Sequence, residues 1–196
     1  SVNLDNWQKG VLAGSVAALL TETNTIGYIG GQEIPPIKFT AEGFETGAKY
    51  INPDINILST FTGSFDDVNK AKEVALAMIS EGADIIMANA NQAGLGPIEA
   101  CQEKGILSIG SNQDQNEIAP DTVVTSAIQS SPILVKFLVE KVLMGEFEPK
   151  FYNLGVAEQA VYLAPWHGFE DKIPQEVKDK IAEITADLAA GKIVYE

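Results

Sequence analysis

The sequence has no arginine. Its 13 basic residues are all lysines, set against 27 acidic ones, for a formal net charge of −14. A field of that sign repels phosphate, and without a guanidinium fork neither guanine nor a carboxylate ligand can be gripped bidentately by this chain. Nucleic acid is therefore excluded as a partner. Cysteine occurs once, as Cys101, so neither an internal disulfide framework nor a cysteine zinc cluster can form. Histidine also occurs once, as His167, and any metal site or Ser-His-Asp triad would have to be built on it alone. No apolar run approaches the roughly 20 residues that span a bilayer. No basic segment followed by an apolar stretch opens the chain, so a signal peptide is not expected among these residues.

What remains is a chain built to fold. Its 196 residues are 45% hydrophobic and 20% charged, enough for one large core or two small ones. Asn6 to Leu20 reads as an Ala-rich helix with Val11, Leu12, Val16, Leu19 and Leu20 at helical spacing and Asp5 as its cap. Thr25 to Gly31 reads as a buried strand closed by a glycine turn. Ile37 to Tyr50 follows as a helix with Phe39, Phe44 and Ala48 inward, then Ile55 to Phe61 as a strand. Ser64 and Asp66 open a helix from Asp67 to Ser80, which Gly82 ends. Ala83 to Ala88, Ile106 to Gly110 and Val123 to Ile128 continue the strands, with Pro97 in the first turn of the helix that ends before Gly105.

Short, continuously apolar strands alternating with helices predict an α/β fold: a doubly wound parallel sheet. After Ser131 the rhythm changes. Pro132 to Met144 reads as a helix, Phe151 to Glu158 and Ala160 to Leu163 as a pair of strands, and Pro174 to about Ala190 as a last helix.

Ligands of open α/β sheets bind beyond the carboxyl ends of the strands. Here those ends carry Gly31 and Gln32, then Asn89, Asn91 and Gln92, then Asn112 and Asp114, then Gln129. Trp166 completes the candidate set. Amides both donate and accept, so such a rim suits a neutral polyhydroxyl or heterocyclic ligand. Turn geometry alone also favours Asn, Ser and Gly in these loops. Asn112 to Asn116 has alternating ligand positions like a calcium loop, but Glu117 stands where the turn glycine belongs and Val123 where the bidentate Glu belongs. Gly27, Gly30 and Gly31 lack the order of a dinucleotide turn. No cofactor and no metal is expected. Nor is catalysis: no nucleophile has an evident base, Ser64 with Asp66 and Asp67 reads as a cap, and Cys101 as a small buried hydrophobe.

In order along the chain, Ile26-Gly27-Tyr28-Ile29-Gly30-Gly31, Pro36, Gly43-Phe44, Gly47-Ala48, Thr62 to Asp67, Gly82 to Ile86, Ile109-Gly110 with Asp114-Gln115, and Thr125-Ser126 resemble the basic-membrane-protein family of solute-binding lipoproteins. The resemblance implies a two-lobed binding protein of the type I periplasmic fold that hands a nucleoside, nucleobase or related molecule to an ABC permease. It also implies a periplasmic or extracellular location with a lipid anchor on an absent N-terminus. Residues 1–128 would form the family's second lobe. Residues 129–196 would supply a crossover helix of the other lobe, the strand pair and the C-terminal helix, leaving an N-terminal lobe missing or separate. Nucleoside-binding relatives commonly have Asp at the position of Asn112 and Lys at that of Gln129, and a glycine-rich turn where this chain has Asn89 to Gln92. The amides here imply a neutral ligand held by amides, hydroxyls and backbone, any charged or aromatic clamp lying elsewhere. An effector-sensing domain of a regulator is the alternative reading.

Overall fold

The computed structural model describes residues 1–195. Its main sheet has six strands in the order β3-β2-β4-β5-β6-β8. These are β2 (Thr25–Gly30), β3 (Asn56–Phe61), β4 (Ile85–Asn89), β5 (Leu107–Asn112), β6 (Val123–Gln129) and β8 (Val161–Leu163). The first five are parallel, and β8 closes the edge antiparallel to β6. This is the expected doubly wound α/β sheet. β4 is buried throughout, and its run of apolar residues follows from having both faces covered.

The helices are α1 (Asn6–Leu20), α2 (Pro35–Ile51), α3 (Val68–Ser80), α4 (Leu95–Lys104), α5 (Ser131–Leu143) and α6 (Gln175–Ala189). Their caps follow the sequence. Asp5 accepts from the Gln8 N–H (2.9 Å) and Asp67 from that of Lys70 (3.0 Å), while the Ser64 hydroxyl takes the Asp66 and Asp67 N–H groups. Gly31, just after β2, allows a close approach: a Cβ there would strike the Phe65 ring.

α1 differs from a surface helix. Every residue from Asn6 to Ala17 but Gln8 is buried, because α2 covers one side, the sheet a second, and α6 touches a third. Phe39 is exposed rather than inward, set edge-on against Tyr195 with ring centroids 5.7 Å apart. The core beneath α1 and α2 centres on Tyr28, Phe44, Ile85 and Met87.

The expected strand pair does not form. β7 (Tyr152–Leu154) pairs in parallel with β1 (Val2–Leu4), an element absent from the sequence reading, while β8 returns to the main sheet. Three-residue strands carry no periodicity of their own, so their partners are set by tertiary contact. The small β1–β7 sheet and α5 stand apart from the main core, and α5 has no buried residue.

Candidate functional site

The carboxyl ends of β2, β4, β5 and β6 lie side by side, so the candidate residues share one edge in the order Gly31 and Gln32, Asn89, Asn112, Gln129. They do not share one role. Asn89 is 1% exposed and its amide is used internally: it donates to the Tyr28 hydroxyl (3.4 Å) and accepts from the Ser111 hydroxyl (3.0 Å). Gly31 is buried, with its N–H on the Asn89 carbonyl (3.1 Å). The crevice between β2 and β4, the switch point of the sheet, is thus stitched shut at this depth. Gln32, Asn91 and Gln92 are exposed along the rim.

Asn112, Asp114 and Gln129 come together. With Gln113, Ser130, Pro132, Tyr162, Ala164 and Pro165 they line an open pocket of about 370 Å³. β8 builds its far wall: the Ala164 N–H is on Ser126 O (2.8 Å) and the Ala164 carbonyl accepts from the Thr125 hydroxyl (2.7 Å). Trp166, one residue beyond the lining, is half-buried against the main core. A larger groove of about 710 Å³ runs along the outer face of α2 beneath the C-terminal segment, between Glu42, Glu45, Lys49 and Tyr195. That groove is a charged surface trough without strand-end residues, so the smaller pocket is the candidate.

Backbone strain gathers at the same edge. Asn91 (φ 50), Asn112 (φ 70) and His167 (φ 48) occupy the left-handed region, which few non-glycine residues enter and which Asn and His tolerate better than most. At Asn112 the surrounding bonds hold this conformation in place. The Ser111 N–H is taken by the Gln115 side chain (2.8 Å), and the Gln115 N–H by the Ser126 hydroxyl (3.0 Å). Asp114 accepts the Asn116 N–H through Oδ1 (3.1 Å) and pairs with His167 Nε2 through Oδ2 (2.7 Å). His167, the only histidine, thereby holds Asp114, a residue of the pocket wall.

The residue that sequence reasoning missed is Lys9. Its side chain crosses beneath β5 and β6, is 1% exposed, and donates to Asn112 Oδ1 (2.8 Å) and Gln129 Oε1 (3.2 Å). Burial lowers its pKa to about 7, since an ammonium out of water is costly. An ionisable amine thus stands behind the amides, a group absent from the candidate set read from the sequence. Cys101 is inert by contrast: fully buried, its thiol is pushed up to about 12.

Residues 1–189 match the family described as Bmp: ABC transporter substrate-binding protein PnrA-like. The chain belongs to the Bmp family. Basic membrane protein A of Borreliella afzelii is 34% identical over 190 residues, covering 93% of this chain and 57% of the relative. Basic membrane protein A2 of Borrelia garinii subsp. bavariensis is 42% identical over 190 residues, covering 93% and 55%. The chain therefore spans little more than half the length of these Bmp relatives. Among solved structures, an ABC transporter solute-binding protein from Aeropyrum pernix K1 superposes with a TM-score of 0.86 at 21% identity, over all of this chain and 66% of the other. A transcriptional activator of the comK gene from Bacillus halodurans gives 0.87 at 23%, over all of this chain and 67% of the other. At these identities the likeness is one of fold, shared by transport proteins and regulators.

Proposed function

We propose that this Bmp chain is the larger part of an extracytoplasmic solute-binding protein, which presents a small uncharged polar ligand, a nucleoside or nucleobase, to an ABC permease. Residues 1–128, closed by β8 and α6, act as one lobe, and the stretch from Gln129 contributes to the other. A lipid anchor outside these residues belongs to the same reading, as does the absence of catalysis. The ligand lies over Asn112, Asp114 and Gln129, with Trp166 at the margin and Gln32, Asn91 and Gln92 along the rim. Gly31 and Asn89 support the edge from within.

The observation that carries this is the convergence of Asn112, Asp114 and Gln129 on one open pocket, at the edge where such sheets bind ligands, in a chain of a substrate-binding family. The fold alone does not choose between transporter and regulator; membership of a family described as substrate-binding favours the first.

The test is calorimetry on the protein purified from its host, against a panel of nucleosides, bases and sugars. Asn112→Ala and Gln129→Ala are each expected to weaken binding of the best panel member by about 1–3 kcal/mol, the cost of orphaning a buried polar partner. Unchanged affinity in both variants rules the pocket out.

A further inference from the structure

The bonds around Lys9 have a fixed direction. An ammonium has three donors and no acceptor, so both amides that touch it must turn their oxygens inward. Gln129 then aims its nitrogen at Asn6 Oδ1 (3.1 Å), and Asn6 aims its own at the Leu4 carbonyl (3.0 Å). The chain of bonds runs from a β1 backbone carbonyl through Asn6, Gln129 and Lys9 to Asn112 without a reversible link. One group is left over. Asn112 Nδ2 has no protein acceptor among the described residues, and Asn112 lines the pocket.

Resting on the reading of this pocket as the ligand site, we propose that Lys9 is the positioning residue that sets its polarity: by holding Asn112 oxygen-inward it presents an N–H donor, selecting ligands with an acceptor, a carbonyl oxygen or ring nitrogen, at that point. The cation also polarises the amide it touches and so strengthens the donor on its far side.

The lock depends on the proton. A neutral amine can accept a hydrogen bond, so once Lys9 is deprotonated either orientation of the Asn112 amide is allowed, while Gln129 stays oriented through Asn6 and the Leu4 carbonyl. Burial has drawn that change down to about 7. The acids around Lys9 are committed to other partners. Asp5 accepts from the Gln8 N–H and Asn153, Asp114 from the Asn116 N–H and pairs with His167, and Glu158 accepts from the Gly155 N–H. On the helices packed against α1, Glu42 holds the Tyr195 hydroxyl, Glu45 holds Lys49, and Glu183 and Asp187 hold Lys180 and Lys192.

The test has two arms. In the first, side-chain NMR follows the Lys9 ammonium and the NH₂ groups of Asn112 and Gln129 from about pH 5.5 to about pH 9. Lys9 is expected to titrate well below the surface lysines, with both NH₂ groups moving at its midpoint; Lys9→Met removes that step. Asn112→Asp, which keeps the shape but gives Lys9 an anionic partner, is expected to raise the Lys9 midpoint. In the second, inosine, which carries ring acceptors, is expected to bind roughly three- to tenfold more weakly at about pH 8.5 than at about pH 6 in the natural protein, and equally at both in Lys9→Met. Amides that stay still while Lys9 titrates, or a Lys9 that titrates with the surface lysines, overturn the proposal. Amides that follow Lys9 while inosine affinity stays constant overturn the selection by Asn112. If the amides follow Lys9 but no panel member binds, the pocket reading itself falls, and the proposal with it.

Discussion

A lysine buried without a carboxylate raises the energy of the folded state whenever it is charged. Lys9 falls from its ordinary 10.5 to about 7, which at about 1.4 kcal/mol per unit is a cost of about 5 kcal/mol at low pH. Between those two values the unfolded chain binds the proton and the folded chain does not, so stability rises with pH across that window. Below about 7 both states are protonated and the full cost is present. Urea unfolding at about pH 7 and about pH 9 checks this: the natural chain is expected to gain about 2–3 kcal/mol, and Lys9→Met much less. An equal gain in both would mean that another group titrates. Lys9 was legible in principle. A single lysine in a helix whose only other non-Ser polar residues are Asn6 and Gln8 in its first turn, and which is buried from residue 9 to residue 17, is buried with it. Helical spacing picks out the apolar face of Val11, Leu12 and Val16 and does not say what covers the other. Asn89 shows the converse: its place at a strand end was readable, but its use by Tyr28 and Ser111 needs the packed sheet.

α1 and α2 cross through four glycines. A Cβ at Gly10 would fall inside the radius of the Thr40 carbonyl oxygen, at Gly14 inside that of Phe44, at Gly43 inside that of Trp7, and at Gly47 inside that of Val11. The obstacle is helix backbone, which cannot swing aside as a side chain can. This contact holds Lys9 under the strand ends, because α1 is clamped from behind. Alanine is the better helix former by about 1 kcal/mol, so local propensity predicts that Gly14→Ala stabilises. Packing predicts the reverse, with a loss of about 1–3 kcal/mol or more as the helices are forced apart. Denaturant midpoints decide between them. Gly168→Ala, with nothing within 4 Å of the new methyl, is the control and is expected to stay within about 0.5 kcal/mol of the natural chain. The elements of the sheet were readable because buried parallel strands and capped helices advertise themselves locally. β1 escapes the sequence, and β7 and β8, readable as strands, take partners that the sequence does not name, because Val2 finds Tyr152, and Val161 finds Gln129, only when the chain has folded.

The whole molecule has one covered half and one bare half. The main sheet is wrapped on both faces, whereas α5 and the segment after it show Val135, Val139, Val142, Leu143, Met144, Phe147 and Phe151 to solvent, Leu143 at 80%. Contiguous apolar surface on that scale marks a surface meant to be covered. A helix of this length is marginal in water unaided. Here the Ser130 cap, packing against β1 and an edge contact between Phe137 and Tyr152 (5.6 Å) support it. Bmp relatives match this chain over little more than half of their own length. On the proposed reading, the remainder of a relative-sized protein covers this face and also supplies the facing wall of the proposed ligand pocket, which Pro132 at the start of α5 helps to line. It follows that residues 1–196 on their own should bind a hydrophobic dye at α5 and exchange the α5 amides faster than those of α1. Val139→Lys with Leu143→Lys should lower dye binding and self-association while moving global stability by less than about 0.5 kcal/mol, because neither side chain is buried. Amide exchange in α5 as slow as in α1 would mean that the face is already covered, by a second copy of the chain, and that the pocket is completed by self-association rather than by a separate lobe.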